Sequence, residues 1–330
     1  MSPIRRQHGV ALITALLVVA LASTAAAYMV HQDQLSIRRA ANVLNAVQAY
    51  QYALGAEILA MSLLHEDRKD NAVDGLDEDW AQPLPPFEVD GFLILGRIED
   101  LQGRFNINDL VNDNDTQNAW ALDRFRALLV QFDINPNALN AVIDWLDRNI
   151  EPSGPYGAED DYYLGLDTPY RAANGPMQDI SELRLVRGFD VPQFDALAAH
   201  LVALPRQTAL NVNTAGPELW IAIGARPDIA EQVARRRPPA AESRRRRRGR
   251  TQAVPVADPR SEPFPTVEKA LQEAGLTPGG NTAAGLSVNS DFFLLRAEVL
   301  ADHTRVVLNS VLERDNQGMM RVVYRTLGDL

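Results

Sequence analysis

Two periodicities divide the chain. Residues 10–30, VALITALLVVALASTAAAYMV, carry no charge, and a helical pattern continues beyond them. Val43, Val47, Tyr50, Leu54, Ile58 and Met61 follow one another at steps of four or three, which is one face of an α-helix. No proline occurs between Pro3 and Pro83. The pattern therefore predicts one continuous helix over 10–64, on the order of 80 Å long, with its upper half packing on a globular domain. A short β-rich run marks 92–99, and 292–300, 304–313 and 319–326 read as further strands, with Asp90-Gly91 and 314–318 as turns. Between these runs the spacing is helical over 118–131, 137–149, 177–187 and 191–204. The simplest architecture is α+β: a long N-terminal helix on a small antiparallel sheet built from 87–104 and 285–330, with a large α-helical insertion. The insertion divides into a first helical domain, 105–205, and a second helical segment, 206–276.

Composition sharpens this picture. Of the 330 residues, 46% are hydrophobic and 23% charged, which supports a packed core and argues against disorder. Zero cysteines exclude disulfide frameworks and the usual zinc sites. The net charge of −11 conceals an asymmetry, since nine arginines fall within 235–250 and lysine occurs only at Lys69 and Lys269. The remaining body is strongly acidic; it repels phosphate backbones and attracts divalent cations. The uncharged run is long enough to cross a hydrocarbon core of about 30 Å. Arg5 and Arg6 precede it and the first acidic residue is Asp33. The positive-inside bias then keeps the N-terminus cytoplasmic and places the rest outside, on a single span. An ordinary secretory signal cleaved in the small-residue stretch 23–27 is the competing reading; the small residue Gly9 lies before the apolar run, and the helical pattern continues well past it.

The segment QHG followed by VALITALLVVALA resembles a type IV prepilin leader, which implies residues 1–9 as leader, cleavage after Gly9 by a prepilin peptidase, and Val10 as the mature N-terminus. Most pilins and pseudopilins carry Glu at the fifth mature position, whereas this chain has Thr14. A carboxylate in an apolar helix bundle is costly unless paired, and a subunit with nothing above it needs no such partner. Loss of that Glu, together with the segments at 98–111 (IEDLQGRFNINDLV), 144–163 and 180–190, resembles the minor pseudopilin K family of bacterial type II secretion systems. The resemblance extends over nearly the whole chain. It implies an inner-membrane subunit that caps or initiates the pseudopilus tip and supports export of folded proteins across the outer membrane. The implied partners are other minor pseudopilins, the prepilin peptidase and the inner-membrane secretion platform.

Asp144, Asp147, Glu151, Glu159, Asp160 and Asp161 gather six carboxylates around the turn-forming PSGPYG. So many like charges need a cation among them or full solvation, and the residues alone leave both open. Calcium suits such an oxygen-rich site. The resemblance implies calcium there, with Asp147, Glu151, Glu159, Asp160 and Asp161 as ligands and Asp144 and Asp179 as further candidates. The acidic runs at Asp70 and Asp113 lack the EF-hand pattern. Residues 210–237 echo the Asn-x-Asn turn of RFNIND and resemble a helix-hairpin-helix unit, but the hairpin IGARPD has one glycine where DNA-binding copies typically have two. The Arg-rich loop over 235–262 has proline flanks and no interleaved aromatics, and reads as a solvated loop. Together these two features support an alternative, a periplasmic membrane-anchored DNA-binding protein of the competence type, which the acidic body disfavours. No enzyme signature is present: the five histidines form no HExxH pair, and there is neither a P-loop nor a G-x-S-x-G elbow.

Overall fold

The computed structural model describes residues 8–205, 207–235, 262–302 and 304–328. Most of the leader (1–7) and most of the Arg-rich loop (236–261) lie outside the described residues. A single helix, α1 (His8–Asp70), runs for 63 residues, about 95 Å. It lies against a five-stranded antiparallel sheet made of β1 (Leu84–Val89), β2 (Phe92–Asp100) and three later strands. The chain turns from β1 to β2 through Asp90 and Gly91, both at positive φ, as a tight hairpin requires.

After β2 the chain leaves the sheet and builds the insertion. Its elements are β3 (Phe105–Asn106), α2 (Ala119–Gln131), α3 (Ala138–Leu146), α4 (Asp160–Tyr163), α5 (Val191–Ala198), β4 (Leu201–Val202), β5 (Leu210–Asn211), α6 (Pro217–Ile223), α7 (Pro227–Ala234), α8 (Val267–Glu273), α9 (Gly280–Ala283) and β6 (Leu286–Ser287). The chain then returns through β7 (Phe292–Ala301), β8 (Thr304–Arg314) and β9 (Met320–Leu327), giving the sheet order β1-β2-β7-β8-β9. The two Asn-x-Asn turns do parallel jobs. Asn106 ends β3, which pairs with β4, and Asn211 ends β5, which pairs with β6; each side chain accepts the N–H two residues on.

Three local expectations give way. The stripe that reveals α1 as a helix only borders its packing face: Val43, Val47 and Ile58 are exposed, Tyr50, Leu54 and Met61 are half-buried at its edge, and the centre of the contact with the sheet is Ala49, Ala53, Ala56, Ala60 and Leu64, all at 2% exposure or less. Small side chains let the helix approach the sheet closely, so the buried face is the less hydrophobic one by residue type. Residues 180–185 form a 3₁₀ turn in place of an α-helix: Asp179 and Glu182 close a capping box at its start, but Tyr170 donates to the Leu185 carbonyl and the chain is extended from Val186, so the turn is not continued. The helix expected over 191–204 stops at Ala198, where the chain straightens to pair β4 with β3.

One side chain on α1's packing face is charged. Glu57 accepts two hydrogen bonds of 2.8 Å from Arg325 on β9 and one of 2.6 Å from Ser310 on β8. Burial alone would raise its carboxyl; Arg325 and Ser310 outweigh that and hold it below the ordinary value.

Where α1 ends, a second charge is buried. Arg314, 1% exposed, donates to the Leu64 carbonyl, Asp67, Asp74 and the Ser290 carbonyl, and lies over the Phe293 ring. Next to it Asp100, at the end of β2, accepts from Gln102, Asn211, Thr214 and Ser290. Asn211 also donates to the Asp74 carbonyl. Helix end, sheet and insertion are thus joined through one hydrogen-bonded junction. Removing only the guanidinium would strand buried carboxylates, a loss of about 3–5 kcal/mol for a buried pair.

Acidic groups outnumber Arg314 there, and pKa values respond. Burial, followed by the charges of Glu78 and Asp74, raises Asp67 to about 7; burial raises Asp100 to about 6. Asp109, buried in the first helical domain, is raised to about 7 by the same cause. In each case the folded value lies above the unfolded one, so the folded state binds the proton more tightly. The associated stability is fully present below about pH 4, declines as pH rises from there, and is gone once pH has passed the folded values of about 6–7. Thermal unfolding in chelator should therefore show a higher Tm at pH 6 than at pH 8; a flat or opposite trend would refute this account.

Candidate functional site

The acidic loop is assembled by helix α3 and the turn that follows it. Asp144, fully buried near the end of α3, accepts the N–H of Ser153 at 2.7 Å and of Ala158 at 2.6 Å. These bonds fold the PSGPYG turn back over its side chain. Gly157 is required at the closest point, since a Cβ there would collide with the Asp144 carboxylate and the Ser153 nitrogen. Arg187 clamps the outside of the turn: its guanidinium lies between the Tyr156 and Tyr162 rings, 4.4 and 4.7 Å from their centroids, and donates to the Gly157 carbonyl. Below, Trp145, Tyr163 and Tyr170 pack ring against ring.

This fold-back places Asp147, at the C-terminus of α3, and Glu159, before α4, in one acidic neighbourhood. Both are 4% exposed, and Asp147 Oδ1 and both Glu159 carboxylate oxygens accept no hydrogen bond. Burial first, then the charges of Asp144 and Asp115, raises Asp147 to about 6. Burial, then Asp144, Asp147 and Asp160, raises Glu159 to about 7. Buried carboxylate oxygens without donors are costly, and they fit a hard cation that takes oxygen ligands. Asp160 stands beside them, but its oxygens are engaged by Arg171 and the Ala172 N–H. Glu151 and Asp161 are exposed. Asp179 caps the 180–185 turn and accepts from Ser181.

Asp115, from an acidic run lacking the EF-hand pattern, lies close enough to act on Asp147 and accepts the Arg148 N–H. Beside it a cavity of about 30 Å³ lined by Asp113, Asp115, Leu146 and Arg148 has room for an ion or a water. Among the described residues, the acidic triad whose ligand atoms all lie within 4.8 Å is a different one, Asp67, Asp74 and Glu78. That triad is already served by Arg314, Trp80, Asn71 and Gly75. Its members come from DRKDNAVDGLDEDW, where the signal of a buried role is weak, because Arg314 arrives from far along the chain.

Two further candidate surfaces are settled by their local geometry. In the helix-hairpin-helix unit, α6 ends at Gly224 (φ +118) and α7 starts at Pro227. The hairpin N–H groups of Gly224 and Ala225 donate to Ile221 and Trp220 carbonyls, so they are turned inward and not offered to phosphate. On α1 the apolar run is exposed from Leu12 to Val30, including Leu16, Val19 and Met29, and exposure continues above it at Ile37, Val43, Leu44, Val47 and Ile58. Thr14 lies on this helix; Gly9 and Val10 are helical in backbone.

Known proteins resemble the chain over nearly all its length. A family model for the type II secretion system protein K matches residues 103–206. The type II secretion system protein K of Pseudomonas aeruginosa is 36% identical, covering 98% of this chain and 94% of that protein. Its counterpart from Aeromonas hydrophila is 32% identical, covering 98% of each. Among solved structures, the GspK-GspI-GspJ complex of the enterotoxigenic Escherichia coli type 2 secretion system contains a chain of the same fold, with a TM-score of 0.72 and 24% identity over 88% of this chain and all of that one.

The unpaired oxygens of Glu159 generate a direct test. In chelator, Glu159→Met should raise stability by about 1–3 kcal/mol, because it replaces an unsatisfied buried carboxylate by an apolar chain of similar size. Thermal unfolding measures this, and a lowered Tm would show that Glu159 is satisfied in solution.

Proposed function

The chain belongs to the type II secretion system protein K family and is a minor pseudopilin of that machine, and from this we propose that it caps and initiates the pseudopilus tip. The observation that carries the proposal is the set of uncovered apolar side chains on α1, which runs from the membrane-length segment through Ile37, Val43, Leu44 and Val47 and reappears at Ile58, while another face is sealed against the sheet by alanines. Such a face suits burial against partner helices. The relative's structure, which contains GspI and GspJ, supports other minor pseudopilins as those partners. The insertion stands at the far end of α1, where it would obstruct a subunit stacked above. Thr14 removes the carboxylate that would otherwise need a neighbour's amine. In this reading the helix spans the inner membrane once, N-terminus in the cytoplasm and folded part in the periplasm. A prepilin peptidase cuts after Gly9, exposing Val10, and the inner-membrane platform drives assembly.

Calcium completes the reading. Asp147 and Glu159, with Asp144 and Asp160 supporting them, would hold one ion, whose charge offsets repulsion among the buried carboxylates. It would stabilise the acidic turn by mass action at millimolar external concentrations.

Three measurements test these statements. N-terminal mass spectrometry of protein from its native membrane should show a start at Val10 only when the peptidase is present, and Val47→Glu should reduce co-purification of other minor pseudopilins without lowering Tm. A peptidase-independent start, or undiminished co-purification, would count against the tip-subunit reading. For the ion, calcium should raise the Tm of the wild type and leave that of Glu159→Met unchanged.

A further inference from the structure

The acidic site contains more free oxygen than its carboxylates provide. Asp144 has both oxygens committed to backbone N–H groups, and Asp160 has both committed to Arg171 and Ala172. The oxygens without partners are Asp147 Oδ1, the two of Glu159, and one more, the buried Oδ1 of Asn174.

Asn174 is held in this neighbourhood from three sides. Its Nδ2 donates to the Asn149 carbonyl at 3.2 Å, which fixes the carboxamide so that the oxygen cannot exchange places with the nitrogen without losing that bond. The next residue, Gly175, donates its N–H to the Trp145 carbonyl, and Ala172 donates to Asp160. The 172–175 segment is therefore stitched both to the stretch that carries Asp147 and to the one that carries Asp160. Asn174 also sits at φ +46, in the left-handed region that few side chains other than asparagine and aspartate tolerate. A buried carbonyl oxygen without a donor is unfavourable in a metal-free protein, and here it occurs in a segment bonded to the stretches that carry the three unpartnered carboxylate oxygens.

We propose that Asn174 is a neutral oxygen ligand of the divalent cation held by Asp147 and Glu159. This rests on the calcium reading above. Two carboxylates match the charge of one divalent ion, and a carboxamide oxygen enlarges the ligand set without adding charge. Calcium takes six to eight oxygens in flexible geometry, whereas magnesium keeps a rigid, water-rich octahedron. Asn174 therefore favours calcium over magnesium.

The test uses the full chain in detergent, stripped of metal and titrated calorimetrically with calcium, magnesium and terbium. Asn174→Gly keeps the left-handed backbone and removes the oxygen; Asn174→Asp keeps an oxygen and adds a charge. Asn174→Gly should weaken calcium binding by about tenfold, with little change for magnesium and no loss of Tm in chelator. Asn174→Asp should retain calcium and shift preference toward trivalent terbium. Calcium affinity unchanged in Asn174→Gly, or an unchanged terbium-to-calcium ratio in Asn174→Asp, would overturn the assignment of Asn174 while leaving the calcium site standing. A wild-type chain that binds no calcium would overturn both.

Discussion

Arg314 is the charge around which the molecule is organised. From the end of β8 its guanidinium reaches the last turns of α1, the loop that leaves it and the Ser290 carbonyl just before β7. A buried arginine is tolerable only when its donors are matched, so the positions of Asp67, Asp74 and Ser290 are fixed relative to one another. Asp100 and Asn211 extend the same network into the insertion. Hydrophobic contact alone would let a smooth alanine seam slide along the sheet; the directional bonds of Arg314 at one end, and of Glu57 with Arg325 further down, set its register.

Much of this frame was legible in the sequence because its signals are local. The absence of proline from 4 to 82, the β-rich composition of the three C-terminal strands and the Asp90-Gly91 turn are each read within one segment. What escaped depends on distant partners. The packing face of α1 could not be read from hydrophobicity, since alanine is chosen there for its size and the larger apolar residues are left facing out. β1 (LPPFEV) carries two prolines, which suit an edge strand and remove its strand signature. The 3₁₀ turn at 180–185 and the early end of α5 follow from hydrogen bonds to Tyr170 and β3.

The acidic site shows the same division. Charge density pointed to the loop, but not to which carboxylates are free. Asp144 and Asp160 are consumed by the backbone they organise, Glu151 and Asp161 face solvent, and Asp179 is a cap. Only after donors are matched to acceptors do Asp147 and Glu159 stand out. Neutral residues such as Asn174 carry no compositional signal at all. The aromatic packing of Trp145, Tyr163 and Tyr170 and the Arg187 clamp hold this short turn in place around carboxylate oxygens that lack donors.

The insertion departs from the sheet after Asp100 and returns at Phe292, and Asp100 is paired in register with Phe293 on the neighbouring strand. Entry and exit therefore share one point on the sheet. A bulky module can grow, shrink or be exchanged there while the strands on either side keep their pairing, so the head of the molecule can diversify while the long helix and its sheet keep their shape.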